Sequence, residues 1–375
     1  MMNSLPLPDA VSRLAGGAGP LRMTLELKNV VKRVGADTHI YDTNLTLESN
    51  EFNILLGTTL AGKTTLMQLM AGLETPTSGE VWFNGANVTG TPVQKRNVSF
   101  VHQQFINYPL FNVFENIASP LRVARFSIKE IEERVGNVAG LLKLTAMLGR
   151  KPSELSGGQQ QRTALARALV KDADLVLLDE PLANLDYKLR EELRDELPKM
   201  FQDRECTVVY ATTEPSEALL LGGHTATLNE GRVTQFGKTP EVYRQPTDLL
   251  TAQVFSDPPI NAVEVQLSNG RFILNDQVSW PASGINLVDG AYRMAIRPHY
   301  VTLNPAPDKD VKLQGRVLVA ELSGSESVVH FDVGGSSWVS QSPGIRTIKV
   351  GHTMEFHLDS SQCLYFGENN QFVAG

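Results

Sequence analysis

Residues 52–65 read Phe52-Asn-Ile-Leu-Leu-Gly57-Thr58-Thr59-Leu60-Ala61-Gly62-Lys63-Thr64-Thr65, an apolar run that ends directly in a Gly-rich segment. The next residues place Leu66, Leu69, Met70 and Leu73 at helical spacing. The expected order is strand, Gly loop, helix. Gly57 to Thr64 follows the pattern G-x-x-x-x-G-K-T. In that context the glycines let backbone N–H groups of Thr58, Thr59, Leu60 and Ala61 curl around a phosphate. The helix adds the positive end of its dipole. Lys63 would reach terminal phosphates as a point charge, the Thr64 hydroxyl would bind Mg²⁺, and Thr65 continues the helix start.

A second apolar run, Leu175-Val-Leu-Leu-Asp179-Glu180, lies downstream. Consecutive apolar residues suit a strand buried on both faces of a parallel sheet. Asp179 at its end could hold Mg²⁺ through water, and Glu180 could orient or deprotonate an attacking water. TLELKNV, LTLES, VSFV and TVVYATT read as further strands. The stretch from about 112 to 154 reads as mostly helical, and Ser156 sits where it would cap the helix GGQQQRTALARALV. Strands alternating with helices mean an α/β fold. After about Gly237 the text changes to short strands broken by Gly, Pro, Asn and Ser, the pattern of a small all-β barrel or sandwich.

Composition narrows the function. The 375 residues carry a net charge of −7, with 42% apolar and 20% charged residues. Such a chain is globular, and its acidic balance disfavours nucleic acid as a partner. Two cysteines far apart, Cys206 and Cys363, exclude a disulfide scaffold and a Cys-based zinc module and fit a reducing compartment. No apolar run approaches the ~18 residues needed to span a bilayer, so any membrane role is expected to come through a partner. Residues 1–22 have no apolar core of a secretory signal and read as a disordered tail or an early start before Met23.

Leu155-Ser156-Gly157-Gly158-Gln159 stands between the Gly loop and the LVLLDE strand. With three motifs in this order, the chain from Met23 onward resembles an ATP-binding cassette ATPase of a transporter. The resemblance implies a P-loop α/β cassette over 23–236, with a helical subdomain at about 112–160. An all-β, OB-like regulatory domain would follow over 237–375. It implies ATP and Mg²⁺ as cofactors: ATP on residues 57–65 and Gln103, and Mg²⁺ near Thr64, Gln103 and Asp179. Two cassettes would pair head to tail, so Ser156, Gly157, Gly158 and Gln159 would cover a partner's ATP. Asp186 would lie at the crossing point between them. Phe105, Tyr108, Phe111 and Phe114 follow Gln103. They divide between core packing and a groove for a helix of the membrane subunit.

Two positions depart from the family. Thr213 stands where a switch histidine is expected, and a hydroxyl cannot carry positive charge or share a proton as imidazole does. His224 is the nearest later histidine. Val34 occupies the place of an aromatic that stacks on adenine, with Tyr41 the nearest substitute. The chain's own site is therefore expected to bind ATP loosely and turn over slowly. A second, different ATPase subunit would supply a full site. The C-terminal stretch, with AIRPHYVTL and ELSGSES, resembles importer ATPases for sugars, polyols and glycerol phosphate. PVQKRN, HQQFINYP and LANLDYKLREELRDELP are most similar to glycerol importers. The implied partners are transmembrane permease subunits and, indirectly, a periplasmic substrate-binding protein, at the cytoplasmic face of the inner membrane. The alternatives are a non-catalytic ATP-binding subunit and a homodimeric sugar or glycerol-phosphate importer ATPase.

Overall fold

A computed structural model describes residues 24–183, 185–202, 204–305, 309–322 and 324–375. The tail expected over 1–22 lies outside them. Alternating residues make β1 (Leu25–Val34) and β2 (Asp37–Leu47) an antiparallel pair that turns Leu25, Leu27, Leu45 and Leu47 inward. β3 (Phe52–Gly57) is buried along its whole length and delivers the Gly loop to α1 (Lys63–Ala71). That helix stops one residue before Gly72, whose φ of 75° is a left-handed cap, so Leu73 falls outside it. β4 (Ser78–Phe83) and β5 (Ala86–Asn87) complete an antiparallel sheet in the order β2-β1-β4-β5.

After β6 (Val98–Val101) come three helices, α2 (Val113–Val123), α3 (Ile128–Leu141) and α4 (Gly157–Leu169). Their starts are set by side chains. Asn112 caps α2, while Ser127 with Glu130 and Ser156 with Gln159 form capping boxes on α3 and α4. β7 (Leu175–Asp179), α5 (Tyr187–Gln202), β8 (Thr207–Thr212), α6 (Pro215–Leu221), β9 (His224–Asn229) and β10 (Arg232–Lys238) follow. The second sheet runs β10-β9-β3-β8-β7-β6. Its strands are parallel except the edge strand β10.

Both faces of this sheet are covered, which is why its strands read as unbroken apolar runs. Ile54, Leu56, Val176, Leu178 and Val208 face α2 to α6 in one core. Their alternates Leu55, Leu175, Leu177, Val209 and Ala211 face α1 and the antiparallel sheet in another. Among the described residues no helix is long and apolar enough to cross a membrane.

The compositional shift at Gly237 falls inside β10. Two short helices, α7 (Thr239–Arg244) and α8 (Leu249–Val254), then pack on β9 and β10. The all-β part begins with β11 (Asn261–Ser268), β12 (Arg271–Asn275), β13 (Val278–Pro281), β14 (Gly290–Ile296) and β15 (Val301–Thr302). It closes with β16 (Asp310–Leu322), β17 (Glu326–Val333), β18 (Ser336–Pro343), β19 (Thr353–Asp359), β20 (Leu364–Phe366) and β21 (Phe372–Ala374). Two antiparallel sheets result, β13-β12-β11-β14-β20-β21 and β15-β19-β16-β17-β18. Aromatic stacks fill the core, Phe272 on Tyr365 and Phe331 on Phe356. Asn261 of β11 bonds the Val339 backbone of β18 in both directions, pinning the sheets together. Both cysteines are buried free thiols, and burial pushes Cys206 up to about 11.

Candidate active site

The Gly loop leaves the C-terminal end of β3, beside the ends of β7 and β8, where open parallel sheets hold their ligands. A Cβ at Gly57 would fall 2.5 Å from the Leu228 carbonyl oxygen and 2.9 Å from the Ala61 Cβ, so only glycine fits the exit from the strand. Gly62 turns into the helix at φ 101°. Leu60, at φ 69°, takes a left-handed conformation that costs a non-glycine residue about 1 kcal/mol or more.

Lys63 is only 5% exposed. Its Nζ donates to the carbonyls of Gly57 (2.8 Å) and Thr58 (3.0 Å) and lies 3.5 Å from Glu180 Oε1. Burial holds the ammonium below its ordinary pKa, while Glu180 and Asp179 pull the other way. Thr64 Oγ1 donates to Asp179 Oδ2 at 2.7 Å. Burial raises the Asp179 carboxyl above the usual range, opposed by that hydrogen bond. Gln103 Nε2 donates to Glu180 Oε2 at 2.9 Å. Glu180 itself sits at φ 46°, held by a bond from its N–H to the Ala211 carbonyl (3.0 Å). Strain of this kind at a charged cluster is a mark of functional sites.

The structure thus brings together 57–65, Gln103, Asp179 and Glu180, which are far apart in sequence. Thr64 and Asp179, bonded to each other, and Gln103, bonded to the adjacent Glu180, carry oxygens of the hard type that could hold a divalent cation such as Mg²⁺. The buried Asp179 carboxylate is a group whose charged form such a cation would favour.

Residues 59–65, Gln103 and Glu180 line a cleft of about 520 Å³, and Asp179 lies buried behind Thr64. Its remaining walls are Tyr41, the substitute aromatic named from the sequence, with Thr38 and His39 from the same strand β2 and Glu230 and Gly231 from the β9–β10 turn, which no motif marks. The turn is welded to the loop. Gly231 N–H donates to the Ala61 carbonyl, and Tyr41 N–H donates to the Gly231 carbonyl, both at 2.9 Å. Only the turn residues Asn229-Glu-Gly-Arg hint at this role, because the contact is non-local. Gly231 has φ 77°, and a Cβ there would fall 2.3 Å from the His39 carbonyl oxygen. Gly231→Ala is expected to lower unfolding stability by about 1–3 kcal/mol, read by urea denaturation.

Other predicted residues lie elsewhere. Ser156, Gly157, Gly158 and Gln159 are not in the cleft wall. Ser156 and Gly157 are exposed, and the space beside Gly157 is open. Asp186 caps α5, its Oδ1 accepting from the Leu189 N–H at 3.0 Å. Thr213 follows β8 and is exposed, outside the cleft wall. The strand alternation turns its neighbour Thr212 inward instead, where its hydroxyl donates to Glu217 at 2.6 Å. His224 pairs with Glu51 at 2.8 Å and aligns with Asn53, near the start of β3 and away from the loop. It cannot serve as the missing histidine. Val34 is 51% exposed and outside the cleft wall, whereas Tyr41 is in it.

The four aromatics divide. Phe114 packs against the helical core and Phe105 is half-buried. Tyr108 and Phe111 are exposed and touch at 5.5 Å, beside exposed Ile106 and Leu110. Fully buried Asn116 fixes this ledge, bonding the Tyr108 backbone in both directions and the Phe111 carbonyl.

Residues 40–183 match the ABC transporter family, and residues 294–366 match the TOBE domain. The chain is 31% identical over 93% of its length to an uncharacterized ABC transporter ATP-binding protein, YcjV, of Escherichia coli, covering 99% of that protein. It is 34% identical over 92% of its length to the maltose/maltodextrin import ATP-binding protein MalK of Escherichia coli, covering 96% of it. Among solved structures, the ATP-binding cassette MJ0796, dimeric in a post-hydrolysis state with ADP and Pi, matches 57% of this chain. The match covers 98% of that chain at 30% identity with a TM-score of 0.53. This chain belongs to the ATP-binding proteins of ABC transporters, ATPases that couple ATP hydrolysis to transport. It joins a P-loop α/β cassette to a C-terminal all-β, OB-like TOBE domain.

Proposed function

We propose that this chain energises import of glycerol, or of a related polyol or sugar. It would dock on permease subunits at the cytoplasmic face of the inner membrane, fed by a periplasmic substrate-binding protein. Similarity over 92% of this chain, its TOBE domain included, to a protein named for maltose/maltodextrin import supports the import direction. Glycerol rests on the resemblance of the HQQFINYP and LANLDYKLREELRDELP segments. The ledge of Ile106, Tyr108, Leu110 and Phe111 offers an apolar seat for a permease helix.

In this reading ATP lies on 57–65. Lys63 holds its terminal phosphates, and Thr64, Gln103 and Asp179 hold Mg²⁺, which when bound neutralises charge on the phosphate oxygens. Glu180 orients the attacking water and takes its proton. Ser156, Gly157, Gly158 and Gln159, clear of this cleft, cover the nucleotide of a second cassette, with Asp186 at the crossing.

The observation that carries the pairing is Thr213. No imidazole stands there, and His224 is bonded elsewhere. A lost contact to transition-state charge costs on the order of 10²–10³ in rate. We therefore infer a partner ATPase of different sequence, whose loop is completed by this chain's Ser156 segment. Steady-state ATP hydrolysis by the purified chain is expected to be slow and to rise about 10²-fold with Thr213→His. Fast turnover by the natural chain with no gain from histidine would instead favour a homodimeric importer ATPase. A non-catalytic ATP-binding subunit is the second reading, also favoured by Thr213 and opposed by the intact Glu180.

A further inference from the structure

The base of a bound nucleotide needs a flat surface, and Val34 does not supply one. Tyr41 does lie in the cleft wall beside the phosphate loop. Its position relative to that loop is fixed by two successive backbone bonds, Tyr41 N–H to Gly231 and Gly231 N–H to Ala61. Arg232, the next residue of the same turn, lays its guanidinium 3.6 Å from the centroid of the Tyr41 ring. Among the described residues no ion pair joins Arg232 to a carboxylate, and the Tyr41 ring is its aromatic contact. A planar guanidinium laid on an aromatic ring extends its flat surface, and both groups stack on purines.

We propose that Tyr41, pinned by Arg232, is the nucleobase platform of this cleft. The proposal deepens the ATP-binding reading and rests on it. It relocates the stacking surface from the end of β1 to β2 and makes the β9–β10 turn a part of nucleotide recognition. Stacking reads the face of a base and not its edge, so the platform itself gives little choice between ATP and GTP.

The test is isothermal titration of the full chain with ATP, GTP and inorganic tripolyphosphate. Tyr41→Ala is expected to weaken ATP and GTP binding by about 5- to 150-fold, the range of one lost base stack. Tripolyphosphate binding stays unchanged, which also reports an intact loop. Tyr41→Phe keeps ATP affinity within about twofold, because the ring face is retained. Val34→Ala changes nothing. Undiminished ATP binding by Tyr41→Ala overturns the platform, and so does an equal loss for tripolyphosphate, which would mark a structural role. If the natural chain binds ATP no better than tripolyphosphate, the cleft has no base platform. If it binds neither, the ATP reading itself fails.

Discussion

Lys63→Ala is expected to reduce ATP binding in this chain's own cleft by about 100-fold or more, with the fold intact. The ammonium is almost fully buried, yet only two neutral carbonyls, Gly57 and Thr58, bond it at 3.0 Å or less. Glu180 is looser, at 3.5 Å. Burial has lowered its pKa, so the charged form is held at a cost in the free chain. A triphosphate arriving at the loop adds anionic acceptors beside the one loose carboxylate, Glu180, that Nζ already faces. Charge-assisted hydrogen bonds contribute about 1.5–3 kcal/mol each, so two of them to phosphate oxygens would account for the expected loss. Lys63→Arg does not rescue, because a forked guanidinium cannot take the place of a compact ammonium between two carbonyls. Isothermal titration with ATP reads the loss and circular dichroism the fold. Retention of ATP affinity by Lys63→Ala would show that the nucleotide is not held on this loop.

Parts of the molecule written as contiguous residues were readable in the sequence. Gly57 to Thr65 is a loop whose chemistry is local: strand, turn and helix follow one another, and each residue type has a reason there. Leu175 to Glu180 was readable because a strand covered on both faces must be apolar throughout. Departures were readable for the same reason, since Thr213 and Val34 are single letters at fixed offsets. What the sequence hid depends on contacts across the fold. Thr38, His39, Glu230 and Gly231 reach the cleft only because β9 pairs with β3 and its hairpin folds back over β2. α7 and α8, six residues each, are too short for a periodic signal, so the residues just after Gly237 read as the start of the β part. The four aromatics after Gln103 look alike in sequence. Asn116, buried beneath the Tyr108–Phe111 loop, holds the backbone of the two that face out, a contact no local pattern marks.

Glu180→Gln is expected to lower hydrolysis by this chain about 10²–10⁴-fold while ATP affinity stays within a few-fold. The carboxylate is held from both sides, Oε2 accepting from Gln103 Nε2 and Oε1 facing Lys63 Nζ. An amide has one acceptor oxygen and two donor hydrogens. Whichever way it turns, its NH₂ meets either the Gln103 donor or the Lys63 ammonium, so the side chain loses one hold and cannot accept a proton from water. The left-handed backbone at φ 46° stays in place, because its N–H bond to Ala211 does not involve the side chain. Binding therefore survives and chemistry does not. Transport in cells falls with hydrolysis if this cleft drives the importer. Undiminished transport would assign all turnover to the partner cassette and leave this chain as its ATP-binding, non-hydrolysing half. The readout thus separates the two roles that Thr213 and Glu180 pull between, a threonine proposed to slow the site and a glutamate held beside Lys63 and Gln103.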